Sequence, residues 1–257
     1  MKPGLTQQIQ SLDRGLLLLE IIANARRPVS LADLTPVLGI DRSSVFRLAN
    51  TLKQRGFLAQ MPGSKHYVLG SAIWRLADLF QFDNVLLQLA QEHVNALAAE
   101  TGETTHLAIR EGRQAVLIEC RLTTQAVGVA GSSESCVPLH CTSVGKALIA
   151  DFDHERLAGL FGGKHLSKIT KRTITTLAEL AQECEETRKR GFAVDDEEQH
   201  EGVRCVAAPI RDASGQIVGA IGISAPTARL PRESFKKAGA KVAAAALEIG
   251  RQLGNRG

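Results

Sequence analysis

The stretch SLADLTPVLGIDRSSVFRLANTLKQRGFLAQMPGSKHYVLG, residues 30–70, decides the fold of the N-terminal part of the chain. Ser30 offers an N-cap oxygen and is followed three residues later by Asp33, so a short helix is predicted to begin there. Pro36 removes one backbone donor and is expected to kink or shorten this helix, and Gly39 is expected to end it. The segment GIDRSS is therefore predicted to be a turn.

A further helix is predicted over residues 42–54, with Asp41 as its N-cap. One face of this helix is apolar and carries Val45, Leu48, Ala49 and Leu52. The polar residues of its first turns project elsewhere and can face a DNA groove, where Arg contacts guanine and Ser contacts base edges or phosphates. Lys53 and Arg55 are predicted to contact phosphates.

Two short strands, FLAQ and HYVL, flank the segment MPGSK, in which Pro62 and Gly63 predict a tight turn. This pattern predicts a hairpin wing, with Lys65 and His66 at or near its tip. The candidate DNA-contacting residues are Arg27, Arg42, Ser43, Ser44, Arg47, Lys53, Arg55 and Lys65.

Upstream, residues 11–25 have helical spacing of apolar residues. The predicted core face consists of Leu12, Leu16, Leu19 and Ile22 or Ala23. Three helices alone are also compatible with a scaffold that has a solvated charged face. Three helices followed by a hairpin within about 60 residues are more specific and favour a winged helix-turn-helix.

Composition limits the remaining possibilities. A chain of 257 residues favours two domains, and 44% hydrophobic with 23% charged residues indicates an ordinary globular protein. Residues 1–83 hold 10 Lys and Arg against 6 Asp and Glu, whereas the remainder is balanced at 21 of each. The basic excess therefore lies in the N-terminal third, which suits a polyanionic partner.

The sequence also suggests where the protein acts. It has no apolar run of about 18 residues and no signal-peptide pattern, so we expect no membrane association and a cytoplasmic location. Five cysteines without CxxC spacing favour reduced thiols over disulfides or a zinc ribbon.

The C-terminal two thirds mix predicted helices and strands, which indicates an α+β domain with a sheet covered on one face. Helices are predicted over residues 71–82, 84–101, 143–150, 155–161, 177–190 and 232–253. Strands are predicted over residues 105–109, 115–120, 126–130, 192–194, 203–210 and 217–224.

The segment PLHCTSVGKALIA, residues 138–150, contains a Gly-Lys pair but is not a phosphate-binding P-loop, because His140 and Ala147 occupy positions that the motif reserves for Gly and Ser or Thr. Two interpretations remain: amides near residues 143–145 that hold a carboxylate, or an ordinary buried helix start. The sequence contains none of the enzyme motifs GxSxG, HExxH and the dinucleotide-binding fingerprint. We therefore expect that the protein is not an enzyme and needs no cofactor.

Several segments together resemble the IclR family of bacterial transcriptional regulators. They are SLDRGLLLLEIIA, VSLADL, DRSSVFRLANTLKQRGFL and YVLG, followed by GFAVDDEEQHEGVRCVAAPIRDASGQIVGAIGISAP at residues 191–226. The resemblance covers nearly the whole chain, although Pro36 departs from the usual second helix. It implies a winged helix-turn-helix at residues 1–70, a linker helix at 71–83 and a GAF-like effector-binding and oligomerisation domain at 84–257.

The resemblance also implies a mechanism. A small organic or aromatic acid, expected to bind as a carboxylate, modulates the binding of a homodimeric or homotetrameric repressor to a palindromic operator. The implied effector-binding positions are Ala126, Val129, Val137, Ser143, Val144, Asp195, Cys205, Gly222 and Ser224. Many relatives carry Ser where this chain has Gly222, so one hydroxyl donor is missing here.

An alternative hypothesis makes the C-terminal domain a metal or redox sensor, because zinc accepts N, O and S ligands. Its candidate ligands are His140, Cys141, Asp195, His200 and Cys205. Judged without the family, Asp195 is equally compatible with a solvated loop carboxylate and Cys205 with a small buried residue.

Overall fold

The computed structural model describes residues 9–83, 85–129, 136–163 and 165–255. The chain divides into two compact units, residues 1–83 and 84–257. The first unit contains α1 (Gln10–Ala25), β1 (Val29–Ser30), α2 (Leu31–Leu38), α3 (Arg42–Gln54), β2 (Leu58–Gln60), β3 (His66–Leu69) and α4 (Ser71–Asp83).

The helix boundaries of the first unit follow from capping residues, as predicted. Ser30 and Asp33 form a reciprocal capping box at the start of α2, and Gly39 ends this helix in the left-handed conformation with φ of 62°. Pro36 lies inside α2, which is only eight residues long. The carboxylate of Asp41 accepts the Ser44 amide and begins α3, whose bounds are those predicted.

The predicted wing is also present. β2 and β3 form the hairpin, and β1 adds a third strand through the pairing of Val29 with Tyr67. Sequence analysis did not predict β1, because two residues are too few to show an alternating pattern.

The predicted core face of α1 was partly correct: the structure confirms Ile22, which is buried, and Leu19, which packs against the core, but not Leu12 and Leu16. Leu18 and Ile22 are buried, whereas Leu12 and Leu16 are 60% and 53% exposed. Because residues 16–19 are all Leu, apolar side chains lie on more than one face. Periodicity alone therefore could not show which face packs against the rest of the unit.

The second unit is built on an antiparallel sheet with strand order β6-β5-β4-β9-β8-β7. Its strands are β4 (Thr104–Glu111), β5 (Gln114–Arg121), β6 (Cys136–Pro138), β7 (Ala193–Asp196), β8 (Val203–Arg211) and β9 (Ile217–Pro226). Its helices are α5 (Val85–Thr101), α6 (Ser143–Leu148), α7 (His154–Phe161), α8 (Leu177–Arg190) and α9 (Phe235–Gln252), the last preceded by a 3₁₀ turn at Arg232–Ser234.

Helices cover both faces of this sheet, not one face as predicted. Bulky strand residues such as Leu107, Val206 and Ile221 pack in one core with α5 and α9. Alternate positions such as Ala207 and Ala220 pack in a second core with α6, α7 and α8. The side chains on the second face of the sheet are small and have little apolar surface. A hydrophobicity pattern therefore does not show that this face is also buried.

Two local predictions in this unit need correction. Residues 126–129 form no strand, and Ala130, the last residue of that predicted strand, lies outside the described residues. The helix predicted over residues 143–150 is shorter and ends at Leu148. Strand β6 was not predicted.

Candidate ligand cavity and nucleic-acid interface

The first turns of α3 form a polar, exposed surface in the first unit. Val45 and Ala49 point into the core, while Arg42, Ser43 and Arg47 are exposed. Their positions are the ones expected of a helix that enters a DNA groove with its N-terminal residues.

Asp41 organises this surface through hydrogen bonds. The hydroxyls of Ser43 and Ser44 both donate to its carboxylate, and these bonds hold the pKa of Asp41 well below its usual range. Nη2 of Arg47 lies 3.1 Å from Oγ of Ser44. Each serine oxygen retains acceptor capacity, so either can accept from a base amino group without breaking its bond to Asp41.

The other candidate DNA-contacting residues are also on the surface. Arg27, Lys53, Arg55 and Lys65 are exposed, and Arg27 lies 3.9 Å from Asp33 in a weak surface ion pair. Nζ of Lys53 lies 3.4 Å from Oε1 of Gln60, the last residue of β2. Among the eight candidates only Ser44 is partly buried.

The second unit contains a cavity of about 100 Å³ between the sheet and the start of α6. Seven of the nine positions implied by the family resemblance line it: Val129, Val137, Ser143, Val144, Asp195, Cys205 and Ser224. Ala126 and Gly222 are not part of the lining. The cavity also contacts His106, Leu117, Thr142, Gln199 and Val203, which sequence analysis did not name as site residues, and His200, which it named only as a candidate metal ligand.

A row of polar side chains from adjacent strands forms one wall of the cavity. Asp195 pairs with Cys205, and Cys205 pairs with Ser224, across β7, β8 and β9. From β4, Nε2 of His106 lies 3.1 Å from Oγ of Ser224. Nδ1 of His106 is buried and has no hydrogen-bond partner among the described residues. The row therefore presents an unsatisfied polar atom beside the cavity.

Burial sets the ionisation of this row. It raises the pKa of Asp195 to about 7 and that of Cys205 well above its usual range, and it lowers the pKa of His106 to about 4. At neutral pH His106 and Cys205 are therefore uncharged, and Asp195 binds a proton far more readily than an exposed carboxyl group does. The wall can donate and accept hydrogen bonds while carrying little charge.

Gly222 lies opposite His106 in the sheet and approaches β8 closely. A Cβ atom at this position would lie 2.6 Å from Cβ of Ala207 and 2.7 Å from the carbonyl oxygen of Val206. A serine at this position would therefore require the strands to shift.

The start of α6 differs from the carboxylate site suggested by the sequence. The Gly145 amide donates to Oγ1 of Thr142 at 3.1 Å, so it is not free. Gly145 also allows α6 to lie against the preceding chain, because a Cβ there would be 2.6 Å from Cα of Leu139. Ser143 and Val144 remain in the cavity lining.

A buried ion pair connects α6 to the segment that follows β7. Lys146 is 1% exposed, and its Nζ lies 2.5 Å from Oε1 of Glu198 and 3.4 Å from Oε1 of Glu183. The Glu198 amide donates to Oδ1 of Asp195 at 2.7 Å. Lys146 thus helps to hold Asp195 and Gln199 against the helix that carries Ser143.

The structure does not assemble the candidate metal ligands. Nε2 of His140 lies 2.9 Å from the Ser167 carbonyl, and Sγ of Cys141 lies 3.0 Å from Oε1 of Gln199. Within the described ranges, no three His, Cys, Asp or Glu side chains are placed to bind a metal ion. Burial raises the pKa of Cys141 to about 12, which leaves an unreactive thiol.

Comparison with known proteins identifies both units. Residues 11–62 match the profile of the IclR helix-turn-helix domain, and residues 83–251 match that of the bacterial transcriptional regulator IclR C-terminal domain. The chain is 32% identical to the transcriptional repressor IclR of Escherichia coli (strain K12) over 246 residues, which cover 95% of this chain and 90% of that protein.

Solved structures show the same fold. The crystal structure of Thermotoga maritima IclR matches with a TM-score of 0.77 at 27% identity, covering 96% of this chain and 100% of that one. An IclR homologue from Microbacterium hydrocarbonoxydans, crystallised in complex with 4-hydroxybenzoate, matches with a TM-score of 0.80 at 21% identity, covering 95% of this chain and 98% of that one.

Proposed function

Because this chain belongs to the IclR family of bacterial transcriptional regulators, with a helix-turn-helix DNA-binding domain and a C-terminal effector-binding domain, we propose that a small aliphatic carboxylic acid in the cavity controls its binding to a palindromic operator. The observation that carries this proposal is the cavity itself, which combines apolar side chains with one polar wall. We expect it to act in the cytoplasm as a repressor without catalytic turnover.

The composition of the cavity supports a carboxylate ligand. Ser143 and Ser224 supply hydroxyl donors, and Asp195, with its pKa raised to about 7 by burial, supplies a third donor when it is protonated. Val129, Val137 and Val144 provide the apolar side. A carboxylate can accept a hydrogen bond from each of these donors, and hydrogen bonds to a charged acceptor are stronger than those between neutral groups.

The size of the cavity favours an aliphatic acid over an aromatic one. Its volume is about 100 Å³, whereas an engineered apolar cavity that holds benzene measures about 150 Å³. An acid of two to four carbons fits this volume without rearrangement. A benzoate, as bound by the Microbacterium homologue, would require the lining to expand.

Calorimetric titration of the full chain with two- to four-carbon acids and with benzoates tests this assignment. We expect the aliphatic acids to bind more tightly, and Ser224→Ala to weaken that binding about fivefold through the loss of one hydrogen bond. Ser214→Ala, in the turn between β8 and β9, is the matched control and should leave the affinity unchanged. Tighter binding of benzoates, or no binding of any acid, would contradict the proposal.

The DNA-binding part is tested with duplexes from the region upstream of the gene. We expect these to bind in preference to random DNA, and Lys53→Ala, which removes a predicted phosphate contact, to weaken binding and reduce the slope of log K against log salt by about 1. Arg113→Ala removes the same charge from an exposed site in the second unit and should change neither. Equal affinity for random DNA across low and moderate salt would refute operator recognition.

We further propose that the chain acts as a homodimer or homotetramer. On α4, Trp74, Leu76 and Leu79 are 74%, 55% and 57% exposed. Leu76 and Leu79, three residues apart, share one face of the helix, and an exposed apolar face of this kind is typical of surfaces that another copy covers. Analytical ultracentrifugation should show a dimer or tetramer, and a monomer at micromolar concentration would contradict this expectation.

A further inference from the structure

Phe46 is an unusual residue on the exposed face of α3. Its side chain is 51% exposed, although α3 buries its apolar face through Val45 and Ala49. Phe46 does not belong to the hydrophobic core that the described residues of the first unit form. Its aromatic ring therefore contributes little to folding and is available to a partner.

The neighbours of Phe46 indicate the chemistry of that partner. Ser43, Phe46, Arg47 and Asn50 lie at spacings of i, i+3, i+4 and i+7, which places them on one stripe of the helix. A helix with its side chains is about 10–12 Å in diameter and fits the roughly 12 Å width of the DNA major groove, so this stripe can face the base edges. Arg42 and Arg47 give this end of α3 a positive charge that complements DNA.

Within the major groove, thymine is the base with an exposed methyl group, and apolar side chains recognise it by contact with that methyl. On the basis of the proposed DNA-binding function, we propose that Phe46 determines operator specificity by packing against the 5-methyl group of a thymine. Arg47 and Asn50, which follow it along the stripe, have the donors and acceptors that suit guanine and adenine.

The test begins with selection of binding sites from a random duplex library by the purified full chain. Each thymine of the selected site is then replaced by deoxyuridine, which lacks only the methyl group. We expect one position in each half-site where this replacement weakens binding about fourfold, the effect of burying one methyl-sized group.

Variants connect this loss to Phe46. Phe46→Ala should bind thymine and deoxyuridine duplexes equally, and Phe46→Leu should retain part of the discrimination. Val37→Ala is the matched control: it truncates a 61% exposed apolar residue on α2 and should discriminate like the unaltered protein. Circular dichroism should show that all three variants remain folded.

The outcomes separate this inference from the proposed function. If no sequence is selected, operator recognition fails and the inference fails with it. If a site is selected but no thymine methyl matters, or Phe46→Ala discriminates as the unaltered chain does, only the inference is overturned. A changed oligomeric state in Phe46→Ala with unchanged discrimination would instead assign the ring to a contact between copies.

Discussion

Replacing Lys146 with Met tests the role of the buried ion pair beside the cavity. Met keeps an unbranched side chain of similar length but removes the ammonium group, which leaves the Glu198 carboxylate buried and unpaired. One oxygen of this carboxylate already has no hydrogen-bond partner within the described part of the chain. Removing one member of a buried pair typically costs about 3–5 kcal/mol of unfolding free energy. We expect a value near the lower end, because Glu183 retains Arg190 as a partner.

The cost should depend on pH in a defined direction. Burial already raises the pKa of Glu198, and loss of Lys146, whose charge opposes this shift, raises it further. A carboxyl group whose pKa is higher in the folded than in the unfolded protein stabilises the fold at low pH. This stabilisation is lost as pH rises through the folded pKa. Lys146→Met should therefore be less destabilising at pH 5 than at pH 8, changing by up to about 1.4 kcal/mol per pH unit in the titration range.

Urea unfolding followed by far-ultraviolet circular dichroism measures these differences. Tryptophan fluorescence is unsuitable, because the single Trp of the chain, Trp74, lies in the first unit and the ion pair lies in the second. The double variant Lys146→Met/Glu198→Gln removes both charges and should recover part of the lost stability. A cost below about 1 kcal/mol at pH 8, a cost independent of pH, or a double variant less stable than the single one would refute this account of the pair.

Three further perturbations have expected outcomes. Burial raises the pKa of Asp195 to about 7, so the unfolding free energy should fall as pH rises from about 4 to 7 and this carboxyl group loses its proton in the folded protein. In urea unfolding, the decrease in unfolding free energy between pH 5 and pH 8 should be about 2–3 kcal/mol smaller for Asp195→Asn than for the unaltered protein. Gly222→Ser should lower the melting temperature, because the Cβ atom of the serine would lie 2.6 Å from Cβ of Ala207. Overpacking of this kind costs about 1–3 kcal/mol of unfolding free energy. An unchanged melting temperature would show that the strands move apart easily. Ser30→Ala should destabilise the first unit by about 1 kcal/mol, because the N-cap of α2 is lost, whereas Ser30→Thr should retain most of the stability.

The first unit was predictable from sequence because its decisive signals are local. The side chains of Ser30 and Asp41 bond to amides three residues away, and Gly39 ends a helix through its own backbone conformation. Such signals need no knowledge of the tertiary fold. The core face of α1 was predicted only in part, at Leu19 and Ile22, because its leucine run is apolar on several faces and only packing against the other elements selects Leu18.

The cavity wall could not be predicted from local sequence, because strand register creates it. His106 and Ser224 are separated by 118 positions in the chain and lie 3.1 Å apart. Family resemblance identified Asp195, Cys205 and Ser224, but it did not identify His106, because nothing in the local sequence of its strand, TTHLAIRE, distinguishes a cavity-lining residue from a buried one. The close approach at Gly222 is likewise visible only once β8 and β9 are paired.

The ionisation of the wall links effector binding to protons. A bound carboxylate would place a further negative charge near Asp195, whose pKa is already raised to about 7 by burial and by the charge of Glu198. Lys146 relieves little of this repulsion, since it is 2.5 Å from Glu198 and already paired with it. For the proposed carboxylate effector, we therefore expect the tightest binding when Asp195 is protonated, and proton uptake on binding above pH 7. The same proton turns the carboxyl group into a hydrogen-bond donor, so a single protonation step both removes the repulsion and completes the set of donors that holds the acid.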